Sequence, residues 1–181
     1  MAAERPQLRL GFTRFDHLAA PCPISGYGLR TFHPGDEEAW IGLLSSGDFG
    51  MWDRPRMDRM LAGERAPLPL QGIFFATCGD QLVATACVFL HPGESGDVPE
   101  LGWVVVDPEH RGHGLGRQVC LAALGFVREL GHDYVYLLTE DFRLPAMAMY
   151  LRLGFEPEMI DPGSPAQWEA LRRQLSGEER R

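Results

Sequence analysis

Three glycines at alternate positions, flanked by two arginines, form the segment of this sequence with the clearest chemical potential. Gly112, Gly114 and Gly116 lie between Arg111 and Arg117, after an apolar β-branched run and before an amphipathic segment. A strand followed by a glycine loop and a helix directs unpaired backbone N–H groups, and the positive end of the helix dipole, at an anion. The pattern therefore predicts a cradle for the pyrophosphate of a coenzyme.

Two common nucleotide-binding loops do not match this segment. The phosphate-binding Walker loop requires a lysine, and the 17 basic residues of this chain are all arginine. The dinucleotide fingerprint G-x-G-x-x-G requires a third glycine at the position that Arg117 occupies here. The loop is therefore predicted to hold a coenzyme of another class.

Hydrophobic periodicity and turn residues predict the elements that position this loop. We expect strands at 27–32, 73–78, 82–91, 100–106 and 134–139, an extended segment at 155–160, and helices at 53–61, 114–130, 145–153 and 164–175. A further helix begins with Asp36 as its N-cap. This order predicts a mixed α/β (α+β) domain around a partly antiparallel sheet.

The chain is predicted to contain one compact domain. We assign residues 1–25 to an N-terminal arm, 26–161 to the domain, and 162–181 to a C-terminal helix and a frayed tail. Two placements of the arm remain open: it packs as an extra strand, or it lies across the domain. The apolar loop 49–52 also has two interpretations, a plug in the core, which is the favoured one, or the lining of a substrate mouth.

Composition excludes several classes of function. The 181 residues carry a formal net charge of −8, which argues against nucleic-acid binding and favours a cationic acceptor. No apolar run approaches the roughly 18 residues of a membrane span, and no leader is apparent, so we expect a cytoplasmic protein, either a monomer or a homodimer. The six histidines show no ligand spacing, and the four cysteines form no C-x-x-C pair, so no metal site is expected.

Two motifs resemble those of one enzyme family. The pattern R-x-x-G-x-G at 111–116 is similar to motif A of the GCN5-related N-acetyltransferases (GNAT), and A-x-x-x-Y-x-x-L-G-F at 146–155 is similar to motif B. The resemblance covers roughly residues 27–160. It implies the GNAT fold, a mixed, mostly antiparallel sheet with splayed central strands and flanking helices. It also implies acetyl-CoA, or another acyl-CoA, as donor.

The resemblance also assigns residues to the acyl-CoA. The backbone of the strand before the loop pairs with the pantetheine arm in this family, and the N–H of Val104 is a candidate donor to the thioester carbonyl. Arg143 stands where many members carry asparagine, and it is expected to bond a phosphate or the pantetheine arm. The cofactor-binding residues predicted in this way are Val104, Val105, Val106, Arg111, Gly112, His113, Gly114, Leu115, Gly116, Arg117 and Arg143.

Two residues are candidates for catalysis. Glu100 starts the strand that leads to the loop, where it could take a proton from the amine or be a solvated carboxylate at a strand end. Tyr150 matches the motif B tyrosine, a general acid toward the CoA sulfur in this family, although its helical spacing also fits a core residue. The expected function is acetyl transfer from acetyl-CoA to a primary amine of a small molecule or peptide. The alternative is a non-catalytic acyl-CoA-binding sensor or interaction module on the same fold.

Overall fold

The computed structural model describes residues 7–47, 49–160 and 163–178. Within these ranges, seven strands form one sheet and five α-helices accompany it. The strands are β1 (Leu8–Phe12), β2 (Gly28–Thr31), β3 (Ile73–Cys78), β4 (Gln81–His91), β5 (Val98–Val106), β6 (Val135–Thr139) and β7 (Glu156–Glu158). The helices are α1 (Glu37–Ser46), α2 (Arg54–Leu61), α3 (Leu115–Glu129), α4 (Leu144–Leu153) and α5 (Ser164–Glu178).

The sheet has the strand order β2-β3-β4-β5-β6-β1-β7, and its neighbours are antiparallel except for β5 and β6. Those two central strands run parallel and are paired only at Glu100 and Tyr136. Beyond that pair they diverge, so the edge of β5 that faces β6 is open along Val104–Val106. The predicted mixed, mostly antiparallel sheet with splayed central strands is confirmed.

The two faces of the sheet carry separate apolar cores. Ala86 and Val88 of β4 belong to the core under α3, α4 and α5, whereas Cys87 and Phe89 belong to the core under α1 and α2. Alternate residues of a strand point to opposite faces, so β4 is buried on both sides. This central strand holds β5, and with it the predicted coenzyme loop, in a fixed position.

Residues 8–12 of the predicted N-terminal arm take the first of its two predicted placements, an extra strand. β1 lies between β6 and β7 and pairs with both, and its side chains Leu8, Leu10 and Phe12 are buried. The division into arm, domain and C-terminal segment stays a prediction. Residues 1–6 of the predicted arm, Asp48, residues 161–162 and residues 179–181 of the predicted tail lie outside the described residues.

The predicted helices and strands are present, with differences at several of their ends, such as α5, which ends at Glu178 rather than at 175. β5 begins at Val98 rather than at Glu100, because Val98 and Pro99 pair with the end of β4. Asp36 precedes α1 as predicted but makes no capping bond to the helix. Its carboxylate instead accepts two hydrogen bonds from Arg30, at 2.6 and 2.8 Å, and one from the backbone N–H of His33. No described helix is long and apolar enough to cross a membrane.

We predict that β1 is an essential part of the core. Leu10→Ala should lower the free energy of unfolding by about 2–5 kcal/mol, because Leu10 is fully buried between strands and helices. Leu29→Ala, on the edge strand β2 where the side chain is 41% exposed, is the matched control and should cost about 0.5 kcal/mol or less. Urea unfolding measures both, and equal losses would contradict a central role for β1.

Candidate functional site

Two adjoining cavities open where β5 separates from β6. The large cavity, of about 420 Å³, lies between the loop after β5, the first turn of α3 and the start of α4. The small cavity, of about 180 Å³, lies next to it and reaches Glu100 and Tyr150. Both are lined by Phe49, Val104, Arg143 and Ala146, so the two cavities meet at these four residues.

The loop between β5 and α3 adopts a backbone that only glycine takes without strain. Gly112 and Gly114 have φ angles of 82° and 78°, and Gly114 is the residue that caps the N-terminus of α3. A residue with a Cβ atom loses roughly 1–2 kcal/mol in this left-handed region. The first N–H groups of a helix have no partner inside it. Here they border the large cavity and can bind an anion.

Gly116 differs from the other two glycines of the loop, because it is required for close packing of α3 against its neighbours. A Cβ atom there would lie 3.2 Å from the sulfur of Met149 and 3.3 Å from Cγ2 of Val106. Its absence lets the first turn of α3 approach both β5 and α4. The third glycine of the loop therefore brings the helix N-terminus to the end of the strand.

Two arginines give the large cavity positive charge. Arg111 and Arg117 are both exposed and both line the cavity. Nε of Arg111 donates a hydrogen bond of 3.3 Å to the carbonyl of Val106, which keeps the guanidinium at the end of β5. Guanidinium groups form strong charge-assisted hydrogen bonds with phosphate oxygens. The site can therefore bind a phosphorylated ligand through charge as well as through backbone N–H groups.

A β-bulge turns the end of β5 into the gap between the strands. Val105 pairs with Thr85 and Gly102 with Cys87, which leaves Trp103 and Val104 opposite one residue of β4. Trp103, within this bulge, has a φ of 48°, a left-handed value that is uncommon for a residue with a side chain. The backbone that follows borders the large cavity at Val104–Val106.

Glu100 is a buried carboxylate surrounded by polar partners. It is 3% exposed, and its Oε1 accepts a hydrogen bond of 2.5 Å from Nη2 of Arg65. The hydroxyl of Tyr136 donates to Oε2 at 3.1 Å. Nε2 of His91 lies 2.7 Å from the same oxygen without forming a hydrogen bond within the described residues. These partners offset the desolvation of the charge and hold the carboxylate at the wall of the small cavity.

Tyr150 lies in α4 and faces the small cavity from the other side. It is 6% exposed, and its ring packs against Phe155 at 5.9 Å. Burial raises the pKa of the Tyr150 hydroxyl well above its ordinary value, so the hydroxyl stays protonated across the physiological range. Within the described part of the chain, no hydrogen bond occupies this hydroxyl, which can therefore donate to a ligand.

Arg143 precedes α4 and connects the two sides of the site. Its Nε bonds to Oε2 of Glu140 at 2.5 Å. Its guanidinium lies 4.3 Å from the centre of the Phe49 ring and 5.1 Å from that of Phe142. Arg143 thus forms part of the wall where the cavities meet. Among the described residues, no group of three or more His, Cys, Asp or Glu could hold a metal ion.

A comparison with known families identifies the fold and its motifs. The sequence model described as the acetyltransferase (GNAT) family matches residues 37–155. The chain belongs to the GNAT acetyltransferase family. This match includes the glycine loop, both splayed strands and α4, the elements that enclose the two cavities.

Individual GNAT relatives support this assignment. The chain is 35% identical over 154 residues to the mycothiol acetyltransferase of Thermobispora bispora, covering 80% of this chain and 51% of the relative. It is 32% identical over 152 residues to that of Catenulispora acidiphila, covering 78% and 48%. The chain therefore spans about half the length of the curated relatives it matches.

A solved structure shows the same fold. The GCN5-related N-acetyltransferase from Sphaerobacter thermophilus aligns with a TM-score of 0.70 and 23% sequence identity. The alignment covers 85% of this chain and 49% of that chain. At this identity the comparison supports the GNAT architecture, while the roles of individual residues rest on the geometry of the site.

The structure brings nearly all of the predicted cofactor-binding residues together. All of them except His113 line the large cavity. The ring of His113 packs instead 5.6 Å from that of Tyr27. Leu115 and Val105 have side chains in the core, so they offer only backbone groups. Glu100 and Tyr150 both line the adjoining small cavity, and their catalytic roles stay predictions.

Several residues of the site were not predicted from the sequence. Arg65, His91 and Tyr136 surround Glu100 but lie on three separate elements, so no sequence spacing connects them. The apolar loop 49–52 did carry a signal: its interpretation as a core plug fits Trp52, and its interpretation as the lining of a substrate mouth stays a prediction. Trp52 is 5% exposed in the core, whereas Phe49 lines both cavities.

We predict that Tyr136 makes the fold sensitive to alkali. Burial, and next the charge of Glu100, raise the pKa of Tyr136 to about 12. Because the neutral phenol is favoured in the folded state, this stabilisation is complete below the unfolded pKa of about 10 and is lost as the pH rises through about 12. Tyr136→Phe should therefore flatten the decline of unfolding free energy over this interval. Urea unfolding at several pH values measures it, and identical slopes for both proteins would refute the assignment.

Proposed function

We propose that this protein is an acetyl-CoA-dependent N-acetyltransferase that acetylates a primary amine of a small molecule or peptide. The observation that carries the proposal is the continuity of the two cavities. The large one offers an anion cradle and an open strand edge, and the small one holds Glu100 and Tyr150. The relatives named mycothiol acetyltransferase support acetyl transfer. The chain matches only about half of each relative, so their acceptor does not carry over to this chain directly. Amines related to mycothiol are therefore candidates among other acceptors.

The residues of the large cavity fit an acyl-CoA. The backbone N–H groups of 112–116, with Arg111 and Arg117, would hold the pyrophosphate. The open edge of β5 at Val104–Val106 would pair with the amide groups of the pantetheine arm. The bound acyl-CoA supplies an activated acetyl thioester, and the N–H of Val104 would stabilise negative charge on its carbonyl oxygen.

The small cavity supplies the groups that acyl transfer requires. The acceptor must be a neutral amine, and Glu100 would take its proton directly or through a water molecule. As the C–N bond forms and the C–S bond breaks, negative charge develops on the sulfur. The Tyr150 hydroxyl would donate a hydrogen bond to it, and burial favours the protonated hydroxyl that this role requires.

We predict that the two catalytic candidates affect turnover more than binding. Glu100→Gln and Tyr150→Phe should each lower kcat by roughly 10²- to 10⁴-fold, as expected for proton-transfer groups, with little change in acetyl-CoA affinity. Release of the CoA thiol with a panel of amines measures turnover, and calorimetry measures binding. Glu129→Gln, an exposed carboxylate at the end of α3, is the control and should retain full activity.

One outcome of this assay would overturn the enzymatic proposal. If the wild-type protein binds acetyl-CoA tightly but releases no CoA thiol with any amine, it acts as a non-catalytic acyl-CoA-binding module. If both variants turn over at the wild-type rate, the roles of Glu100 and Tyr150 are wrong.

We also predict that the glycine loop binds CoA through its backbone. Gly114→Ala should weaken CoA binding about tenfold or more, because a Cβ atom at a φ of 78° shifts the N–H groups of the cradle. Gly79→Ala is the matched control, since Gly79 also has a positive φ, of 57°, but lies in the β3–β4 turn. Both variants should lose a similar amount of stability. Only Gly114→Ala should bind CoA more weakly, as measured by calorimetry. Equal affinities in the two variants would contradict the cradle.

A further inference from the structure

The junction of the two cavities contains one large apolar side chain. Of the four residues that line both cavities, Val104 and Ala146 are small and Arg143 is charged, which leaves Phe49 as the bulky apolar group. We propose that Phe49 limits the length of the acyl group that the protein accepts. This inference rests on the proposed function, in which the thioester lies where the two cavities meet.

Phe49 packs against Trp103, which also lines the small cavity and is in turn packed against Trp52. Its ring meets that of Trp103 edge to face, with centroids 5.0 Å apart, and Trp103 meets Trp52 in the same way at 4.8 Å. Trp52 is buried in the core, and the guanidinium of Arg56 stacks on its ring at 4.0 Å. The three aromatic rings leave Phe49 little room to retreat from the junction.

The backbone that carries Phe49 is also fixed. Nη1 of Arg56 donates hydrogen bonds to the carbonyls of Met51, at 3.0 Å, and of Phe49, at 3.4 Å. The N–H of Trp52 donates to the hydroxyl of Ser45 at 3.0 Å. This segment lies between α1 and α2, and its bonds to both helices hold it in a defined conformation.

The other side of the junction is closed by Arg143. Its guanidinium stacks on the Phe49 ring, 4.3 Å from the ring centre, and its side chain is 13% exposed. An acyl chain that starts near Val104 therefore meets a Phe49 ring that is already held by its contacts with Arg143 and Trp103. A two-carbon acyl group requires no displacement of Phe49, whereas each added methylene must push against a ring that packs against Trp103.

The experiment compares the binding of CoA, acetyl-CoA and butyryl-CoA by calorimetry without an acceptor, so no substrate amine has to be known. The variants are Phe49→Ala, which opens the junction, and Phe49→Leu, which keeps an apolar contact with Trp103 and provides an answer if the alanine variant does not fold. Met51→Ala is the control, because Met51 is in the same loop, is 82% exposed and lines neither cavity.

In the wild-type protein and in Met51→Ala, butyryl-CoA should bind about tenfold more weakly than acetyl-CoA, a typical discrimination for misfit of one or two methylenes. Phe49→Ala should abolish this ratio and Phe49→Leu should reduce it, and the CoA titration separates this change from any general loss of CoA affinity. An equal affinity of the wild type for both thioesters, or the same ratio in all variants, would overturn the role of Phe49. Absence of CoA binding by the wild type would overturn the proposed function as well, and the CoA titration reveals that case separately.

Discussion

The separation of β5 from β6 is the constraint on which the rest of the site depends. The two strands are registered at a single pair, Glu100 and Tyr136, and the bulge at Trp103 follows on β5. A strand edge inside a sheet exposes backbone groups that need partners. Here that edge borders a cavity with a glycine loop at its end, so the unpaired backbone of Val104–Val106 is available to a ligand.

This separation is stable because other strands hold each side of the gap. β4 pairs with β5 along most of its length, and β1 pairs with every residue of β6. β1 also brings the guanidinium of Arg9 to 3.9 Å from the Tyr136 ring, whose hydroxyl bonds to Glu100. The N-terminal segment therefore positions one wall of the site, although it precedes the region that the GNAT family model matches.

Much of the fold and the cradle could be predicted from the sequence, because local rules determine them. The glycines at 112 and 114, the helix pattern after them and the proline and glycine that bound α4 are all local signals. The polar partners of Glu100 come from elements distant in sequence, and their meeting depends on strand order. The same limit applies to β1, whose short apolar pattern does not reveal that it inserts between β6 and β7. Asp36 shows the converse, since a local capping signal was overridden by Arg30.

The central claim is that the gap between β5 and β6, with the glycine loop at its end, holds an acyl-CoA whose thioester lies at the junction of the two cavities. A crystal structure of the complex with acetyl-CoA tests it most directly. The account predicts the pyrophosphate against the backbone of 112–116, the pantetheine arm along Val104–Val106, and the acetyl group between Phe49 and the N–H of Val104. Acetyl-CoA bound elsewhere, or a complex in which β5 and β6 close the gap by pairing with each other, would contradict the account.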